Sequence, residues 1–189
     1  MASIKNKLSR VQMISALNVG ALLVHQYEEN EDPGYFPGQF NRGLFKRAVP
    51  DHYPLNTHTA TCINTAIAYT FYILPVLFPA KKWLGIAPVL FGMSQALGHG
   101  IIFPRIAGAW YSHGLLASIL LHVPLGIVYF KSLATEGPIS KKDLGLGIAY
   151  QAVFAAIGVA GPNLVGRDRN SRNAFRPDQV GPYALSTDT

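Results

Sequence analysis

At 189 residues the chain has the length of one domain, and 49% hydrophobic content with 14% charged residues and a mean hydropathy of +0.20 is unusual for a soluble protein of that size. The formal net charge of +6 does not point to nucleic acid, because the basic residues are spread over the loops and the tail and form no stripe with interleaved aromatics. Lipid headgroups are the expected counter-charge, and the single cysteine, Cys62, excludes an internal disulfide.

Five apolar stretches, at about 11–27, 58–78, 83–104, 111–130 and 143–161, each approach the ~20 residues a bilayer requires. They predict an all-α integral membrane bundle of about five transmembrane helices over residues 1–162, followed by a polar tail over 163–189. A soluble all-α bundle is the competing reading, but five such stretches would leave almost no polar helix face for water. A cleavable signal peptide over 1–24 is disfavoured: Lys5, Lys7 and Arg10 make a basic start, yet no small-residue cleavage site follows.

The first stretch ends in "HQYEE", which places His25, Glu28 and Glu29 at helical offsets 0, 3 and 4 on one face, with Asn18 two turns earlier on the same stripe. Next comes the longest connection, residues 30–56, with prolines at 33, 37, 50 and 54 and anchors such as Tyr35, Phe36 and Phe40. So many aromatics argue for a lid folded over the bundle instead of a free linker. Glutamates at a helix C-terminus meet the negative pole of the helix dipole, so a cation is expected nearby, either a metal or Arg42, Lys46 or Arg47 from this loop.

The second stretch opens with His58, Thr61 and Asn64 near the same membrane surface. The third carries Gln95 and His99 at i and i+4, with His99 about 8 Å below Pro104 at 1.5 Å per residue. The fourth opens "WYSHGLLASILLH". Tyr111, Leu115, Ser118 and His122 share one face there, and His113 lies half a turn from His122 unless the helix starts later. Short connections make neighbouring helices antiparallel, which brings the ends of stretches one and three and the starts of two and four to one side. The tail is expected to be disordered or draped on the surface. The sixteen Lys and Arg divide evenly between the two sides, but the short loops with Lys81, Lys82, Lys131, Lys141 and Lys142 favour a cytoplasmic amino terminus.

Ionisable groups inside spans are costly and are usually functional or paired. His25, Glu28, Glu29 and His99 at one depth suit either of two chemistries: ligation of a divalent Zn, Mn or Fe ion, or acid–base activation of water by a carboxyl and an imidazole. Asn64, Gln95, Tyr111 and His113 are the candidates for contacts to substrate around them. The expected function is a membrane-embedded, metal-assisted, hydrolytic or otherwise water-activating enzyme acting on a lipid or other apolar substrate. The alternative is a non-catalytic binding protein or carrier for a cation or headgroup. No glycine-rich phosphate loop and no Gly-x-Ser-x-Gly elbow is present, and "HQYEE" is neither zincin order.

With His25-Gln-Tyr-Glu28-Glu29 closing the first helix and His99 in a later one, the sequence resembles the HXXEE family of small multispanning membrane proteins, over roughly residues 11–161. The family is functionally uncharacterised, and its shared polar residues imply enzymatic activity carried here by His25, Glu28, Glu29 and His99. A family-type Tyr-x-Pro-Gly segment corresponds to Tyr111–Gly114, with His113 in place of the proline. A second resemblance, to CAAX-type intramembrane proteases, stops at mechanism: those enzymes place an arginine soon after the glutamates, whereas "EENEDPG" continues with acids and a turn.

Overall fold

The computed structural model describes residues 8–46 and 49–184, and every regular element among them is helical. Helix α1 spans Arg10–Asn30, and its start is fixed by Ser9, whose hydroxyl accepts the Gln12 N–H at 3.1 Å. A short α2, Phe36–Gln39, runs on into a wider π-turn, Phe40–Leu44. Four long helices follow: α3 (Thr57–Leu77), α4 (Lys82–Ala107), α5 (Leu115–Thr135) and α6 (Lys141–Val165). The tail carries α7, Pro177–Val180. Asn56 and Ser140 cap α3 and α6 by accepting the N–H groups of Thr59 and Asp143.

The helices α3 to α6 are long and apolar enough to cross a membrane. The first helix, counted from the sequence among five spans, falls below them in hydropathy, and its burial pattern explains why. Asn18, His25, Glu28 and Glu29 face inward, whereas Met13, Leu17, Val24 and Tyr27, each about half exposed, form the outer stripe. Several of the polar residues that lower the hydropathy of α1 are thus ones it buries.

Successive long helices alternate in direction. At one end Gln12 on α1 donates to the Val76 carbonyl of α3, the Val11 N–H points at Glu136 beyond α5, and Lys82 at the start of α4 donates to the Gly137 carbonyl. At the other end Gln26 of α1 donates to the Asn64 carbonyl of α3. An apolar core fills the first end, with Val11 and Ile14 against Ile86, Val89, Tyr129 and Leu133. A second joins Leu22, Phe71, Tyr72, Ala87 and Phe154 at mid-height, where the Phe71 and Phe154 rings stack 3.9 Å apart.

Each of α3 to α6 widens into a π-turn: Ile63–Ile67, Gly98–Ile102, Ser118–His122 and Phe154–Ala160. Such insertions rotate the following face and cluster at functional sites. Three of them carry Asn64, His99 and His122. The fourth expected stretch, 111–130, begins only at Leu115, because Gly114 sits in the left-handed region at φ 105° and breaks the helix, leaving His113 in the preceding loop.

The connection after α1 folds back over the bundle, and the tail is draped across it. Gln179 of α7 donates to the Asn30 carbonyl and to Glu31, and its own carbonyl accepts the Tyr35 N–H at 3.0 Å. Phe175 and Val180 are buried against Leu55, Ala60 and Ile63, so the last described segment supplies part of the core beneath it.

Candidate functional site

The polar end of α1 meets α4 and α5 in two separate niches. Glu28 turns toward the start of α5. Its carboxylate accepts the Ala117 N–H at 2.8 Å, the Leu116 N–H at 3.2 Å and the Tyr111 hydroxyl at 2.7 Å. Those N–H groups are among the first of α5, which have no partner within the helix, and their positive pole suits a carboxylate from a neighbouring element. Burial and the adjacent carboxylate push the Tyr111 hydroxyl up, so it remains a donor.

Glu29 instead faces the imidazoles of His25 and His99. One of its oxygens lies 3.4 Å from His25 Nε2 and 3.2 Å from His99 Nε2, yet neither nitrogen has a hydrogen-bond partner of acceptable geometry. A ligand atom from each of the three side chains can be chosen so that all lie within 4.8 Å of one another.

Protons on the imidazoles can be assigned from their far sides. Ser118 donates its hydroxyl to the Gly114 carbonyl at 2.6 Å, so toward His25 Nδ1, 3.3 Å away, it accepts. His25 therefore carries a proton on Nδ1, which leaves Nε2 as the nitrogen that faces Glu29. The same reasoning holds one turn deeper, where Asn18 Oδ1 can only accept from His122 Nδ1, 3.0 Å away, leaving His122 Nε2 buried and without a partner. His99 Nδ1 is held by Ser112 at 3.0 Å.

Glycine makes the crowding possible. A Cβ at Gly114 would stand 2.7 Å from His99 and 3.0 Å from His25, and one at Gly92 would stand 2.5 Å from His122. The three rings pack edge to face, with centroids 5.0 Å apart for His25 and His99 and 5.4 Å for His25 and His122.

His25, Glu29 and His99 form the polar end of a cavity of about 240 Å³. Asn64 and Gln95, the residues proposed from the sequence to contact a substrate, line it as well. The expected lid reaches it: Phe36 and Phe40 form part of the wall, and the Phe36 ring lies 4.8 Å from that of His99.

Other sequence-derived candidates are placed elsewhere. Glu28 and Tyr111 pair with each other outside the cavity, and His113 packs edge to face between the Tyr35 and Tyr111 rings, where burial lowers its pKa. The cations expected from the loop do not offset the glutamates: Arg42 and Lys46 are exposed, and Arg47 lies outside the described residues. The N-terminus of α5 meets Glu28, the imidazoles meet Glu29, and Arg176 of the tail pairs with Glu31 at 2.9 Å. Residues not singled out as part of the site are the serines that orient the imidazoles, Ser112 and Ser118. Ser118 had a readable signal, sharing a helical face with His122; Ser112 lies in a loop, where no periodicity marks it.

A family model described as a protein of unknown function with HXXEE motif matches residues 16–129, from within α1 to within α5. No curated protein and no solved structure matches the chain.

Proposed function

The chain belongs to the HXXEE family, and from that premise we propose that it is a membrane-embedded, metal-assisted enzyme that activates water against a lipid or other apolar substrate. The observation that supports this reading best is the pair of buried Nε2 atoms, of His25 and His99, directed without hydrogen bonds at one oxygen of Glu29. Buried polar atoms left unsatisfied cost about 1–3 kcal/mol each. A divalent cation would accept a lone pair from each of the three side chains.

Two imidazoles and one carboxylate are a ligand set suited to Zn, Mn or Fe, and three protein ligands leave a coordination position for water or substrate. An ion bound there would lower the pKa of a coordinated water toward ~7 and polarise a carbonyl. The chain's own contribution is orientation and shelter. Ser118 and Ser112 hold the two imidazoles, Asn64 and Gln95 face the substrate, and Phe36, Phe40 and Phe103 restrict water.

Membrane placement follows the same reading. The apolar outer stripe of α1 supports a fifth span beside α3 to α6, and the basic connections at Lys81–Lys82 and Lys141–Lys142 support a cytoplasmic amino terminus.

Elemental analysis of the protein purified without chelator tests the proposal. About one equivalent of metal per chain is expected, removable by chelator with a fall in melting temperature, and His99→Ala should not retain it. Wild-type protein that holds no stoichiometric metal, and is not stabilised by added Zn, Mn or Fe, would overturn it. A non-catalytic carrier is the second reading, and one feature favours it: Glu29 is the only carboxylate among the described residues lining the cavity, so no separate acid or base carboxyl remains once it ligates. Stoichiometric metal with bound apolar ligand and no turnover would select the carrier.

A further inference from the structure

The chemistry of the cavity wall defines the ligand more narrowly than "apolar". Along the wall, aromatic and aliphatic side chains such as Leu22, Phe91, Phe154 and Val159 dominate, and five carboxamides line it as well. Three of these are engaged within the protein: Gln26 donates to the Asn64 carbonyl, Asn30 to the Gln26 carbonyl and Asn163 to the Val159 carbonyl. Asn64 and Gln95 make no side-chain hydrogen bond among the described residues, and Asn163 Oδ1 is buried without a partner. These groups can donate to and accept from a ligand, and none carries charge.

Among the described residues, no lysine or arginine lines the cavity. Of the two long-helix N-termini at this end, that of α5 is occupied by Glu28 and that of α3 is capped by Asn56. The first helix presents its negative pole there. Phosphate sites are ordinarily built from Arg, Lys or free N–H groups at the start of a long helix, and among the described residues the cavity is lined by no Arg or Lys and faces neither long-helix N-terminus unoccupied. A divalent ion held with one carboxylate would leave a single positive charge, against the roughly −1.5 to −2 of a phosphate monoester. At about 240 Å³ the cavity also falls just below the roughly 300–1,000 Å³ of ordinary small-molecule pockets, which suits one slim chain better than a two-tailed phospholipid.

We infer that the cavity takes an uncharged single-chain amphiphile, its hydroxyl, ester or amide end held by Asn64 and Gln95 beside His25, Glu29 and His99. The inference rests on the lipid-substrate reading above and adds the exclusion of anionic heads. A site that hydrogen-bonds a neutral head rejects a charge it cannot compensate, because the charge must shed its water on binding.

The test is isothermal titration of the full chain in lipid nanodiscs with monolauroylglycerol and, separately, lauroyl lysophosphatidic acid. Each is run on metal-loaded and on chelator-treated protein. The neutral ligand should bind at least about tenfold more tightly in both preparations, and Asn64→Leu and Gln95→Leu should each weaken it about tenfold while leaving metal content unchanged. Equal or tighter binding of the phosphate compound, binding of neither, or amide variants that keep full affinity for the glycerol ester would overturn the inference. If the wild-type chain holds no metal but the neutral preference persists in the treated protein, the metal reading fails and this one stands. Metal retained without the preference would sink the neutral-ligand inference and leave the metal reading in place.

Discussion

Two adjacent carboxylates, Glu28 and Glu29, occupy regions that differ in how completely their groups are satisfied. Around Glu28, at the junction of α1 and α5, one hydroxyl and two N–H groups converge on a carboxylate and every partner is matched. Around Glu29, at the cavity, two imidazole nitrogens approach and no hydrogen bond forms. A satisfied carboxylate joins helices. An unsatisfied cluster facing a cavity holds free energy that a bound species can recover.

Exchanging the two roles by mutation gives the largest effects. Glu29→Ala should lower metal affinity by more than the roughly 10–100-fold typical of losing an orienting partner, because it removes a ligand itself. Melting temperature in chelator should change little, since no formed hydrogen bond is lost. Glu28→Ala should act in the opposite sense, costing about 2–4 kcal/mol of stability through three orphaned donors while metal content per folded chain stays near wild type. Elemental analysis and thermal unfolding of both variants check the pair. Matching behaviour in the two assays would erase the distinction between the regions.

A smaller effect is expected one bond further from Glu29. Ser118→Ala removes the acceptor that keeps the His25 proton on Nδ1, so metal affinity should fall by roughly 10–100-fold with the fold retained. Competition with a metal-binding dye measures the loss. An unchanged affinity would mean that packing between Gly114 and His122 alone orients the ring.

The helical class and the approach of His25, Glu29 and His99 were legible in the sequence, because offsets of 3 and 4 and alternating helix direction are enough to bring those positions together. The division of labour between the glutamates was not. Both lie on one face of α1, and only the start of α5, delayed to Leu115 by Gly114, determines which carboxylate meets free N–H groups. Arg42 and Lys46 illustrate the same limit: the dipole argument asked for a cation, whereas Glu28 meets the N–H groups of a helix N-terminus, and that requires tertiary structure to see. The π-turns also escape a 3.6-residue reading, although they carry Asn64, His99 and His122.

The smallest predicted effect concerns the draped tail. His52 Nδ1 lies 3.0 Å from Asp51 and Nε2 lies 2.9 Å from the Arg169 carbonyl, which ties the connection after α1 to the segment after α6. Partial burial alone would depress the imidazole, but the Arg169 carbonyl and the Asp51 carboxylate favour its charged form and raise it above the ordinary 6.5. A group raised on folding stabilises the folded state fully below its unfolded pKa, and that contribution is lost as pH rises through the folded value. The tie should therefore hold best in mildly acidic solution and weaken on the alkaline side, by less than about 1 kcal/mol because solvent screens the pair. Trypsin cleavage at Arg167, Arg169 and Arg172 reads it, with the rate for His52→Gln divided by that for wild type at each pH so that the protease's own pH dependence cancels. The ratio should exceed one at about pH 5.5 and fall toward one by about pH 8.5, on either side of the ordinary imidazole value. A ratio that does not change with pH would show that Phe175 and Val180, buried beneath the tail, hold it without help from His52.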